Sequence, residues 1–204
     1  MTSFSFPRPR ADGKIHRVSY VLPPPKVRPM TLSNRSVVGR HRIFEVLHQD
    51  VTASDGSPRR DVFTLECPDW CNVIAVTPAR EILFIWQYRF GTDAMELEIP
   101  GGVIERGEAP LAAARRELRE ETGYESDAIV SLGSTAPNPA IQGNTCHFFV
   151  AENARPTGAT HFDEHEEIEV VPVPVNAVAE LIDRGVVRHS LAALALERYL
   201  RRTK

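Results

Sequence analysis

No run of 18 apolar residues occurs anywhere in the 204-residue chain, which excludes an apolar membrane-spanning helix. The N-terminus has no continuous apolar segment of the kind a secretory signal needs, so the expectation is a cytoplasmic protein with no membrane role. Cysteine is scarce: Cys67, Cys71 and Cys146 are the only three. An odd number cannot pair completely within one chain, which argues against a disulfide-stapled secreted module and fits a reducing compartment. An excess of positive charge is missing as well. With 24 Lys and Arg against 27 Asp and Glu, the chain is no general nucleic-acid binder. No internal repeat is visible.

What is present is ordinary for a folded chain: 42% hydrophobic and 25% charged residues, enough for one compact domain with a core and a small appended subdomain. The charge is unevenly placed. Residues 1–30 hold six basic side chains (Arg8, Arg10, Lys14, Arg17, Lys26, Arg28) against Asp12, leaving residues 31–204 with 18 basic against 26 acidic. An acidic body that handles a polyanionic small molecule needs metal cations to reverse the local sign.

Residues 1–35 read as a Pro/Arg-rich arm, since six of the 16 prolines fall before residue 31 and exclude a helix there. Residues 36–67 read as a β hairpin, with strands over 37–50 and 61–66 about the turn Ser54-Asp55-Gly56-Ser57. Further strands are predicted over 72–77, 82–88 and 95–99, stopping at Pro100-Gly101-Gly102. The period then becomes helical over 110–121, with Pro110 suited to the first turn and Gly123 to a left-handed residue past the end. Leu111, Ala114 and Leu118 form its buried stripe. Strands over 128–132, 145–151 and 168–173 follow, and helices over 176–184 and 191–200, the last capped by Ser190. This order of elements implies a mixed sheet sandwiched by helices, an α/β (α+β) fold.

Within residues 102–124, GVIERGEAPLAAARRELREETGY, helical spacing brings Glu117, Glu120 and Glu121 to one side as an acidic ridge. Such a run on its own is either a solvated face or a site whose repulsion is offset by divalent cations. Glu108 could converge from the preceding loop, and the glycine pair lets backbone carbonyls approach the same ions. Hard oxygen donors in this number favour Mg²⁺, with Mn²⁺ as a substitute. Carboxylate-held Mg²⁺ bridges phosphoryl oxygens and acidifies a bound water, so hydrolysis of a diphosphate linkage is the chemistry that follows.

The same stretch resembles the box of the Nudix hydrolase family, with Gly102, Glu108, Arg116, Glu117, Leu118, Glu120, Glu121, Gly123 and Tyr124 at its constrained positions. The resemblance implies an α/β/α sandwich with a small N-terminal antiparallel β unit, residues 68–204 forming the Nudix domain. It implies Glu117, Glu120, Glu121 and the carbonyl of Gly101 as metal ligands, and Arg116 as the residue that orients a catalytic carboxylate. Leu118 is then core, Gly102 and Gly123 carry backbone geometry, and Glu108 is structural. WQYRF at 86–90 and MELEIPGG at 95–102 look like the ADP-ribose pyrophosphatase branch, in which the N-terminal unit pairs across a homodimer.

That branch implies Mg²⁺-dependent hydrolysis of ADP-ribose to AMP and ribose 5-phosphate. The alternatives are another nucleoside diphosphate sugar or a dinucleotide as substrate, or a nucleotide-binding Nudix module without catalysis. Pro139, 15 residues after Tyr124, matches a proline of the branch. Arg89 looks like a diphosphate contact, and Glu98 holds adenine, ribose or Arg89. Trp70 stacks on a base or belongs to the core. Gln142 and Asn144 bind sugar or phosphate, or are merely loop residues. The resemblance also points to a general base in the acidic loop DEHEEIEV at 163–170: Glu164 first, then Glu166 or Glu167, with Glu120 as the fallback.

Overall fold

The computed structural model describes residues 3–9, 15–158 and 167–202, with side chains from residue 22 onward. The chain divides into two compact units, Met1–Ser36 with His48–Val62 and Val37–Leu47 with Phe63–Lys204. In the first, β1 (Ser3–Pro9) pairs antiparallel with β2 (Ile15–Val21), Ser3 opposite Val21 and Pro9 opposite Ile15. The proline-rich arm is thus extended, as its composition demands, but paired. A two-stranded ribbon has only edge strands, which is where Pro7 and Pro9 are tolerated.

Next come β3 (Thr31–Arg40), β4 (Glu45–Thr52) and β5 (Val62–Glu66), a three-stranded sheet in that order. The single strand expected over 37–50 is two strands. His41 donates its backbone N–H to the Phe44 carbonyl at 3.0 Å, and the polar Arg40-His41-Arg42 run breaks the alternation there. The turn at 54–57 is found, with Gly56 at φ 82°, and Asp55 accepts from the Ser57 N–H at 2.9 Å. Within the first unit Asn34 donates to Asp50 at 2.8 Å and His48 lies 2.7 Å from Asp61.

The second unit is built on β6 (Trp70–Val76) and β7 (Glu81–Arg89), whose nearly continuous apolar runs mark strands covered on both faces. Between their diverging ends lie β8 (Ala94–Glu98), paired with β7, and β9 (Gly101–Val103), paired with β6. β9 was not expected; the sequence had seemed to stop at the glycine pair, because glycine carries no strand signal. Helix α1 (Pro110–Thr122) follows. Then come β10 (Tyr124–Glu125), β11 (Ala128–Thr135), β12 (Cys146–Glu152), β13 (Arg155–Pro156) and β14 (Ile168–Pro174). The main sheet runs β11-β12-β6-β7-β14 and is mixed, with β12 parallel to β6 and the other pairs antiparallel.

Two apolar layers flank this sheet. One joins Cys71, Val73, Ala75 and Leu83 to Ala113, Ala114 and Leu118 of α1. The other joins Ile74, Phe84 and Phe148 to Val178 of α2 (Val178–Asp183) and to Leu191, Ala195, Leu196 and Tyr199 of α3 (Ser190–Arg202). The fold is therefore a mixed α/β sandwich with a small N-terminal sheet. Six of the nine residues of the helix expected over 176–184 are α-helical, since Val175–Ala177 forms a 3₁₀ turn. Ser190 starts α3 rather than capping it, and the His189 carbonyl accepts from Ala193. Among the described residues no helix is long and apolar enough to cross a membrane.

Helix α1 starts at Pro110 and stops at Gly123, whose φ of 69° is left-handed and whose N–H bonds the Arg119 carbonyl at 2.8 Å. Its buried stripe is Ala113, Ala114, Leu118, Glu121 and Thr122. Leu111, expected in that stripe, is 40% exposed, while Ala113 two residues on is fully buried. Leu118→Ala should therefore cost about 3 kcal/mol in urea unfolding, against less than about 0.5 kcal/mol for Leu111→Ala. Equal losses would place the stripe wrongly.

Candidate active site

The turn from β8 into β9 brings backbone against the acidic face of α1. A Cβ on Gly101 would strike the Cys71 carbonyl and the Asn72 side chain, and one on Gly102 would lie 2.5 Å from Glu117 Oε1. Glycine at both places lets β9 lie on β6 while the ridge closes over it. The Gly101 N–H donates to Glu121 Oε2 at 2.8 Å. Glu121 is buried, Glu117 has 13% of its side chain exposed and Glu120 33%, so the ridge climbs from the core to solvent.

Like charges this close need compensation, and Arg116 supplies it. Its Nε and Nη2 donate to the two oxygens of Glu108 at 3.1 and 3.0 Å. Its Nη1 donates to Glu117 at 2.7 Å and to Glu120 at 3.1 Å, and Nη2 also reaches the Val103 carbonyl at 3.0 Å. Glu108 in turn accepts from the Glu105 N–H at 3.0 Å. Both Glu108 oxygens are thus committed to the loop and to Arg116, which makes it a structural residue and leaves it turned away from the convergence on metal first considered. The Arg116 bond, followed by the Glu105 N–H, holds the Glu108 carboxyl below the usual carboxylate range against its burial.

Among the described residues no three His, Cys, Asp or Glu side chains converge closely enough to chelate an ion; Arg116 draws Glu117 and Glu120 while the Gly101 amide takes Glu121. The donor set nonetheless suits a hard divalent cation. Four carboxylates against one guanidinium leave a formal local charge of −3, beside a strand kept free of side chains by two glycines.

A family model described as the NUDIX domain matches residues 71–192. The chain belongs to the NUDIX-domain family. It is a Nudix hydrolase, cleaving a diphosphate linkage in a substrate of nucleotide or nucleotide-sugar type, and the family uses divalent metal. It is 29% identical over 158 residues to the methanol dehydrogenase activator of Bacillus methanolicus, covering 76% of this chain and 84% of that protein. To the ADP-ribose pyrophosphatase of Bacillus subtilis it is 28% identical over 158 residues, with the same coverage. The fold matches a crystal structure of an ADP compounds hydrolase with a TM-score of 0.77 at 24% identity, covering 87% of this chain and 96% of that one.

In this Nudix hydrolase Arg89, at the end of β7, is bound to Glu98 of β8, Nε to Oε1 at 2.8 Å and Nη2 to Oε2 at 3.1 Å. Glu98 has 2% of its side chain exposed. His189 Nδ1 lies 2.6 Å from its Oε2. Burial alone would push the Glu98 carboxyl up; His189 and then Arg89 overcome it and hold it at about 2. Of the alternatives for Glu98, the contact with Arg89 is the one this geometry contains.

The remaining predicted residues fall outside this cluster. Trp70 is half-buried and packs on the α3-side core. Gln142 donates to Cys67 Sγ at 3.7 Å and bridges β5 at Leu65, while buried Asn144 donates to the Pro68 carbonyl at 3.0 Å. These contacts pin the 136–145 loop to the connector before β6. Pro139 is exposed, and Glu167 is exposed just ahead of β14. Glu164 and Glu166 lie outside the described residues. The cysteines are free, and burial pushes the thiols of Cys71 and Cys146 up to about 12.

Sequence reasoning missed Glu96, Arg188 and His189. The available signal was Glu96 and Glu98 alternating in MELE on one face of an otherwise apolar strand, where buried charges need cationic partners.

The Glu98 shift carries a pH signature. A carboxyl held at about 2 when folded, against an ordinary 4.5, contributes stability that is present in full above the unfolded value and is lost as pH falls from there towards 2. Wild type should therefore lose urea midpoint more steeply than Glu98→Gln between about pH 5 and 2.5. Parallel curves would remove Glu98 from this role.

Proposed function

We propose that this chain hydrolyses ADP-ribose to AMP and ribose 5-phosphate with Mg²⁺. The observation that carries the reading is the acidic ridge of Glu117, Glu120 and Glu121 closed over the Gly101–Gly102 backbone, with Arg89 braced on buried Glu98 ahead of it. Support for ADP-ribose over other substrates comes from the WQYRF and MELEIPGG segments and from the similarity to the B. subtilis enzyme of that name. Other nucleoside diphosphate sugars and dinucleotides are the second reading, since relatives at nearly equal identity bear different names.

Glu117, Glu120, Glu121 and the Gly101 carbonyl would hold the metal. Bound there, Mg²⁺ supplies charge neutralisation at the diphosphate and an acidified water. Arg116 meets Glu108 through Nε and Nη2 and the ridge through Nη1, so Glu117 and Glu120 can turn to a cation while the fork to Glu108 keeps the helix in register. Arg89, fixed along its Nε–Nη2 edge, binds phosphoryl oxygens. A carboxylate of the acidic segment ahead of β14, Glu164 first and then Glu166 or Glu167, takes the proton of the nucleophilic water. Residues 36–67 form a homodimer contact, which covers the exposed Val38 and Phe63.

A panel of ADP-ribose, NADH, GDP-mannose, UDP-glucose and diadenosine compounds tests the substrate, with ADP-ribose expected to have the highest kcat/KM; equal turnover of all would defeat the assignment. Glu120→Gln and Glu121→Gln should each lower kcat by about 10²-fold or more at saturating Mg²⁺, and a loss below about threefold in both would remove the ridge from the chemistry. Of the three loop glutamates changed singly to Gln, one should lose about 10²-fold in kcat with unchanged Mg²⁺ affinity. Near-normal turnover in all three returns the base to Glu120. Light scattering should give twice the chain mass, and a fully active monomer at every concentration excludes the dimer.

A further inference from the structure

Strand β8 carries two carboxylates at alternate positions, Glu96 and Glu98, which therefore share a face about 7 Å apart along the strand. Each is nearly sealed from solvent, with 5% and 2% of the side chain exposed, and each grips an arginine that is far more open: Arg188 at 56% and Arg89 at 42%. Arg188 mirrors Arg89 in its mode of attachment. Its Nε donates to Glu96 Oε2 at 3.1 Å and its Nη2 donates to Glu96 Oε1. The hydrogen bond from Arg188 comes first among the causes that hold the Glu96 carboxyl below the usual range, against its burial. Arg188 and His189 are consecutive, so one short segment ahead of α3 brings Arg188 to Glu96 and His189 to Glu98.

A buried carboxylate is costly, and a core position on β8 would be more stable as an apolar residue of similar size. What each one yields is a guanidinium fixed along one edge on a partly exposed side chain, a state in which an arginine binds phosphate with little loss of freedom. Gln87 stands directly opposite Glu96 in the ladder, and its buried Oε1 has no partner among the described residues; the polar set around Glu96 is not closed by these residues alone.

We infer that Arg188 is a second phosphoryl-binding arginine of this enzyme, held by Glu96 as Arg89 is held by Glu98, so that two guanidinium groups hung from one strand engage the diphosphate. Glu96 and His189 are positioning residues for this pair. The inference rests on the diphosphate-hydrolysis reading and adds to it a residue outside the box.

The test measures binding of inorganic diphosphate with Mg²⁺ by calorimetry, and KM and kcat on ADP-ribose, for wild type, Arg188→Lys and the double variant Glu96→Gln/Arg188→Gln. The lysine keeps a charge beside Glu96 but loses the fork; the double variant leaves no unpaired buried charge. Both should weaken diphosphate binding by about tenfold or more and raise KM by a similar factor, with a much smaller loss in kcat. A Tm within a few degrees of wild type should accompany this in the double variant. Wild-type diphosphate affinity and KM in the double variant, with only Tm lowered, would reduce Arg188 to a latch for α3 and overturn the inference. Because diphosphate binding needs no turnover, the two readings separate. If wild type hydrolyses nothing in the panel while both variants lose diphosphate affinity, the substrate reading fails and the arginine pair stands.

Discussion

Three glutamates within five residues on one side of a helix repel one another, and the rest of the site depends on how that repulsion is met. Arg116 meets it from the same helix, with one edge of its guanidinium on Glu108 and its Nη1 shared by Glu117 and Glu120. Glu121 is met differently, by a backbone N–H of β9. The contact exists only because Gly101 and Gly102 carry no side chains, so sheet and helix approach within hydrogen-bond range. The same arrangement keeps α1 seated on the sheet and leaves four carboxylates facing one guanidinium, a formal excess of negative charge along this side of the helix.

The opposite sign is handled on β8 by the converse device. There the carboxylates are sealed and the guanidinium groups are open, so buried negative charge serves to orient exposed positive charge. The strand that carries Glu96 and Glu98 is joined to β9, which lies against the ridge, by Ile99 and Pro100 alone. A substrate with two phosphoryl groups would draw on both halves, carboxylates for a cation that offsets the charge developing during cleavage and fixed donors for the charge already present. Neither half is assembled by one element alone, since α1, β9, β8, β7 and the segment ahead of α3 all contribute.

Much of this was legible in the chain. The apolar runs of β6 and β7, the period change at Pro110 and the stop at Gly123 are local signals, and they mark the central strands and α1 within a residue or two. The box residues stood out because their spacing is dictated by a single helix. Less was legible where the partner is distant. Gly101–Val103 forms a strand because β6 offers a ladder, the run over 37–50 breaks at a turn that propensity does not mark, and Leu111 is exposed although its spacing places it in the stripe. Gln142 and Asn144 proved to be ties between the 136–145 loop and the connector before β6, a pairing across some 75 residues.

By itself the sequence determined the composition of the core, the helix that carries the acidic ridge and the one side on which its glutamates lie, because these follow from periodicity and from spacings of three and four residues. Tertiary structure alone decided which carboxylates are sealed and which are open, that Glu108 faces Arg116 and not a cation, and that Arg188 and His189, some 90 residues from β8, close on Glu96 and Glu98. The physical reason is that a charge's burial, and with it the need for a partner, is set by whatever packs over it, and the chain that packs over β8 is remote in sequence.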